Sequence, residues 1–127
     1  MLSAKDALTA YAKMMNNLDS TEFESLLDEN FSYESQVVLT PIHSRHEFIA
    51  YIRKKLSSIR SARVKIFAEL AELSAYGQND CVVVAQGDKN NLVATVFINV
   101  SNNKISKIDI CVIPEPRHAT RSGVYPS

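Results

Sequence analysis

The sequence predicts one α+β domain in which helices precede a mixed or antiparallel sheet. Three observations carry that reading. Apolar residues recur at helical spacing in the first half of the chain, and from Ala62 onward they alternate with period two. The chain has no internal repeat and no strand-helix-strand alternation, so the layers are segregated rather than interleaved. Its 127 residues suit a single core.

The first helix is expected over about 3–18, because Ala4, Leu8, Tyr11, Ala12, Met15 and Leu18 form one apolar stripe that points Tyr11 inward. In "LDSTEFESLLDEN", Asp19 or Ser20 can cap a short second helix that buries Phe23, Leu26 and Leu27 and stops at Asn30. "FSYES" then has period two, which puts Phe31, Tyr33 and Ser35 on one face of a strand and Ser32 and Glu34 on the other. After Pro41, "SRHE" has the form of a capping box in which Ser44 and Glu47 satisfy each other's amides. It opens a third helix with Phe48, Ile49, Ile52, Leu56 and Ile59 on its buried side.

Four long strands follow in "ARVKIFAELAEL", "CVVVAQG", "LVATVFINV" and "KISKIDICVI", separated by "SAYGQND", "DKNN" and "SNN". Residues 1–113 make up the domain. Residues 114–127, "PEPRHATRSGVYPS" with Ile113 before them, carry no period and are expected to be an irregular tail. "LVATVFINV" is apolar on both faces, which a sheet with one face in water would not be. Either a second copy covers the outer face, giving a homodimer, or the tail or a tightly curled sheet hides it.

Composition excludes several classes. The chain is 46% hydrophobic and 22% charged, and no apolar run approaches the ~20 residues needed to cross a bilayer. The start lacks a basic segment followed by an apolar block, so a cytoplasmic location is expected. Cys81 and Cys111 lie in strand-like runs without metal or redox spacing and read as reduced structural thiols. Arg53, Lys54, Lys55, Arg60, Arg63 and Lys65 form an acid-free window. Without interleaved aromatics this reads as the solvated end of a helix rather than a nucleic-acid surface. Three glycines leave no phosphate-cradling loop. His43 and His46 flank a helix cap and have no third ligand nearby, so no metal and no cofactor are expected.

The order helix, helix, strand, helix, four long strands, with "YESQVVLTPIHSRHEFIAYI", resembles the nuclear transport factor 2-like superfamily. That group includes ketosteroid isomerases, polyketide cyclases and limonene epoxide hydrolases. The resemblance implies a cone: a strongly bent sheet wraps the N-terminal helix, encloses a pocket and often dimerises through its outer face. Matched to a ketosteroid isomerase, Tyr11 stands where a tyrosine donates to the substrate oxyanion. Ser35 stands in place of the aspartate base, and Thr95 in place of a protonated aspartate. Matched to a limonene epoxide hydrolase, Tyr33 and Ser35 fall at water-holding positions, Ile110 replaces an aspartate, and Asp109 points away from the pocket.

The pocket lining implied is Tyr11, Tyr33, Ser35, Val93, Thr95, Phe97 and Ile110, which contains no carboxylate. Proton abstraction beside a carbonyl needs a base titrating near the working pH, and an unactivated serine is not one. Three readings stay open. The first is a pocket protein that binds a small apolar ligand through neutral hydrogen-bonding anchors. The second is a lyase, isomerase or cyclase whose base is another carboxylate, such as Glu69, Glu72 or Asp88. The third is a protein-interaction module with a filled cone.

Overall fold

A computed structural model of the chain describes residues 1–37 and 40–127. The first helix, α1, spans Ala4–Asn17. Ser3 Oγ accepts from the Asp6 amide while Asp6 Oδ2 accepts from the Ser3 amide, a complete capping box. Leu18 closes the helix in the left-handed region. The stripe containing Ala7, Leu8, Tyr11, Ala12 and Met15 is buried, and α1 packs on the central strands.

The second helix is shorter than its sequence suggests. α2 is one turn, Thr21–Glu24, and only Phe23 is buried along it. Leu26 and Leu27 do not extend it: the Ile105 amide donates to the Leu26 carbonyl at 2.8 Å, and Leu27 begins strand β1, Leu27–Ser35. One helical turn closes few hydrogen bonds for the residues it fixes, so sheet pairing captures the chain first.

The third helix, α3, spans Arg45–Ala62 and begins where Ser44 predicts, with Ser44 Oγ accepting from the Glu47 amide at 3.0 Å. It buries Phe48, Ile52 and Leu56 and packs on β1.

The four expected strands form as β2 (Ile66–Ala75), β3 (Gln78–Gln86), β4 (Leu92–Ser101) and β5 (Lys104–Cys111). Tyr76–Gly77 and Asn102–Asn103 turn the chain with positive φ at both positions, as two-residue hairpins require. The sheet order is β1-β5-β4-β3-β2-β6, with β1 parallel to β5 and the other pairs antiparallel. It is mixed and does not close into a barrel.

The segment after residue 113 is more regular than expected. It makes a 3-10 turn at Pro116–His118 and a two-residue strand, β6 (Thr120–Arg121), that pairs with the edge of β2. The reason is local satisfaction of that edge: the Leu70 amide donates to the Val124 carbonyl at 3.0 Å, and Ser122 donates to the Leu70 carbonyl through both its amide and its hydroxyl. Arg121 Nε meets Glu69 Oε1 at 2.7 Å, and the Gly123 amide donates to Glu69 Oε2 at 2.7 Å.

Two apolar clusters result. The larger lies between the sheet's inner face and the helices. The smaller, on the outer face, joins Ala71, Cys81, Val83, Phe97 and Cys111, with Ala119 of the tail packed against it. Val96, Ile98 and Phe97 are all buried within one chain. The two-sided apolar pattern of β4 is therefore satisfied without a second copy, and the inference from Leu92, Val96, Ile98 and Phe97 to a dimer loses its premise.

Candidate functional site: a cavity between the helices and the sheet

A cavity of about 420 Å³ opens between α1, α3 and the inner face of the sheet. Tyr11 and Met15 reach it from α1, Tyr33 and Ser35 from β1, Val84 from β3, Val93, Ala94 and Val96 from β4, and Ile110 from β5. Of the seven residues predicted to line it, Tyr11, Tyr33, Ser35, Val93 and Ile110 do so.

Thr95 and Phe97 do not line it, and the cause is a single extra residue. Between β3 and β4, Val84 pairs with Ala94 but Ala85 pairs with Leu92, so Val93 is left over as a bulge. Val93 lies at the cavity mouth, yet beyond it the alternation is inverted: Ala94, Val96 and Ile98 face the helices. Phe97 joins the outer cluster. Thr95 Oγ1 donates to the Pro114 carbonyl at 3.1 Å, tying the tail to the sheet. Thr95 therefore cannot stand in for a second oxyanion donor.

Aromatic rings build the polar end of the cavity. Tyr33 packs against both Phe48, with centroids 5.1 Å apart, and Tyr51, 5.5 Å apart. Tyr11 meets Phe23 edge-on at 5.8 Å. Burial first, and then nearness to Tyr51, pushes the Tyr11 phenol well above its ordinary pKa. Tyr33 is raised too, by burial, by Tyr11 and by its contacts with Tyr51, while a hydrogen bond with Ser35 opposes the shift. Both are protonated donors at neutral pH. Among the described residues the Tyr11 hydroxyl has no hydrogen-bond partner, and it is not sealed from the cavity either, since no buried side-chain polar atom is unsatisfied.

The proposed carboxylate bases lie elsewhere. Glu69 is buried but held by Arg121 and Gly123 under the tail. Glu72 is exposed, and Asp88 accepts from the Asn90 amide in the β3–β4 turn. Asp109 lies in a separate polar depression of about 400 Å³ with Glu34, Tyr76 and Lys107. Lys107 is 3.5 Å from Asp109 and 3.7 Å from Glu34. Burial raises the Asp109 pKa against the lowering influence of Lys107. Among the described residues, no carboxylate lines the larger cavity, and no group of three or more metal-binding side chains is present.

Sequence reasoning missed one wall. Tyr51, Lys55, Ser58 and Ala62 recur at spacings of three and four along α3 and line the cavity beside Ile59. They flank the Phe48–Ile52–Leu56 stripe, so a reading that admits only apolar positions to the buried side assigns them to solvent.

Neither a protein-family model nor a curated protein sequence matches the chain. Solved structures do. A nuclear transport factor 2-like protein of unknown function from Cytophaga hutchinsonii superposes with a TM-score of 0.62 at 12% identity, covering 93% of this chain and 96% of that one. The chain has the nuclear transport factor 2-like fold. Two other structures with this fold carry enzymatic names. The epoxide hydrolase/cyclase-like enzyme SalBIII, of pyran ring formation in salinomycin, has a TM-score of 0.56 at 20% identity over 84% of this chain and 88% of that one. An LEH-like epoxide hydrolase of M. tuberculosis has a TM-score of 0.52 at 16% identity over 84% of this chain and 78% of that one. These superpositions establish a shared nuclear transport factor 2-like architecture; the chemistry of each cavity depends on its own lining.

Proposed function

We propose that this chain binds a small apolar molecule through an oxygen acceptor placed in the cavity between α1, α3 and the sheet. One observation carries the reading: Tyr11 presents a protonated hydroxyl to an apolar cavity and has no protein acceptor among the described residues. A buried donor of this kind gains most from a partner that the ligand supplies. Tyr33 and Ser35 flank it as neutral polar groups, and Met15, Val84, Val96 and Ile110 supply apolar walls. A general base would have to come from outside the described lining, which favours binding over isomerase or hydrolase chemistry.

We also propose a cytoplasmic location. Cys81 and Cys111 are free and buried, on strands separated by β4. Two inter-strand spacings put them roughly 10 Å apart, too far to form a disulfide. No helix among the described residues is long and apolar enough to cross a membrane.

The test is a fluorescence titration with Nile red, a neutral apolar dye that carries a carbonyl acceptor. Binding should enhance and blue-shift its emission, and Tyr11→Phe should weaken binding by about 1 to 2 kcal/mol, the worth of one buried hydrogen bond. No binding by the folded protein, or equal affinity in the Phe variant, refutes the proposal.

A further inference from the structure

We infer that the preferred ligand is an apolar acid, its carboxylate held at the cavity mouth by Lys55. The inference rests on the cavity being a ligand site, as proposed above, and adds to the acceptor at Tyr11 a second polar group, a carboxylate.

Six cations crowd residues 53–65, and five have other surroundings. Arg53 forms a two-pronged pair with Glu24, its Nη2 2.7 Å from Oε1 and its Nε 2.9 Å from Oε2. Arg60 donates to the Leu18 carbonyl at 2.9 Å. Lys54, Arg63 and Lys65 are exposed. Lys55 alone of the six is half-buried and lines the cavity. Its Nζ lies 5.8 Å from the Tyr51 ring centroid, and that ring also packs on Tyr33. Among the described residues its ammonium has no ion-pair partner.

The lining of this cavity thus contains one cation and, among the described residues, no anion. Apolar walls concentrate the field of such a charge into the cavity instead of screening it. A neutral ligand would leave that field unused. A carboxylate would accept a charge-assisted hydrogen bond from Nζ, and Ser58 and Gln86, which line the same cavity, are side-chain donors available to its second oxygen.

The experiment uses two pairs matched in shape and differing in charge, 2-naphthoate with 2-naphthamide and decanoate with decanamide, each displacing Nile red near neutral pH and at low salt. The acids should displace the dye at about tenfold lower concentration than their amides, and added salt should narrow the gap. Lys55→Gln should abolish the preference, each acid then displacing the dye at the same concentration as its amide. Lys54→Gln, which removes an exposed charge one residue away, should preserve it. Equal displacement by acid and amide, or a preference that survives Lys55→Gln, overturns the inference while leaving the cavity reading intact. Failure of Nile red and all four probes to bind overturns both.

Discussion

Arg121→Met tests whether the tail is held by charge or merely by backbone pairing. Glu69 is 2% exposed and receives Arg121 Nε at 2.7 Å and the Gly123 amide at 2.7 Å. Arg121 also reaches Asn90 Oδ1 at 2.9 Å, the Lys89 carbonyl at 2.9 Å and the Tyr125 hydroxyl at 3.1 Å. Removing the guanidinium strands a buried carboxylate, which costs about 3 to 5 kcal/mol when the site stays closed. The Arg121 side chain is 31% exposed, so water can reach part of the vacated space and the lower end applies, about 3 kcal/mol. Peeling the tail away rehydrates Glu69, so the loss cannot exceed the docking free energy of the tail. With a urea m-value of about 2 kcal/mol/M, the midpoint should fall by about 1.5 M. Glu69→Gln together with Arg121→Met should be less damaging than Arg121→Met alone, because no charge is then left unpaired. Hydrogen exchange at the Leu70 amide, which donates to Val124, should accelerate in the single variant. A midpoint unchanged in Arg121→Met, or a double variant less stable than that single one, would refute the reasoning.

Other outcomes follow from the same structure. Ser44→Ala should cost about 1 kcal/mol in denaturant unfolding through loss of the α3 cap, with no change in Nile red affinity. The Arg53 hydrogen bond, partly offset by burial, holds the Glu24 carboxyl below its ordinary range. A lowered folded pKa means that its stabilisation is present above the unfolded value near pH 4.5 and is lost as pH falls through the folded value. Urea midpoints of the unaltered protein and Glu24→Gln should therefore differ at neutral pH and converge under acid. A homodimer through the outer sheet face would now depend on Tyr76 and Ile113, which are 68% and 71% exposed. Light scattering at micromolar concentration tests it: a dimer that Ile113→Lys dissociates would support that proposal, and a monomeric unaltered protein would end it.

The long periodic segments were legible because each pattern had one solution. α1, α3 and the four long strands follow from spacings that burial enforces. The second helix was misjudged because Leu26 and Leu27 satisfy a helix stripe and a strand start equally well, and only the distant partner Ile105 decides between them. Tyr11 could be placed from its helical stripe and Tyr33 and Ser35 from parity, while Ile110 came from the family resemblance. Thr95 and Phe97 could not, since parity fails past a bulge and "NLVAT" carries no mark that Val93 is the surplus residue. Lys55 was hidden by its company, five similar cations that do face solvent or surface partners. Glu69 and Arg121, 52 residues apart, had no sequence signal linking them.

That separation also has a consequence in time. During synthesis β2 is complete well before Arg121 is made, and at typical elongation rates 52 residues take roughly 3 to 10 s. In that interval the outer edge of β2 has open amides and carbonyls, a template on which a neighbouring nascent chain could add a strand. Glu69 then faces solvent without its counter-ion, and a carboxylate on a bare edge repels the close approach of an identical strand bearing the same charge. The residue that the finished molecule buries and neutralises would first act as a guard, discouraging intermolecular pairing until its own chain supplies the cation that retires it.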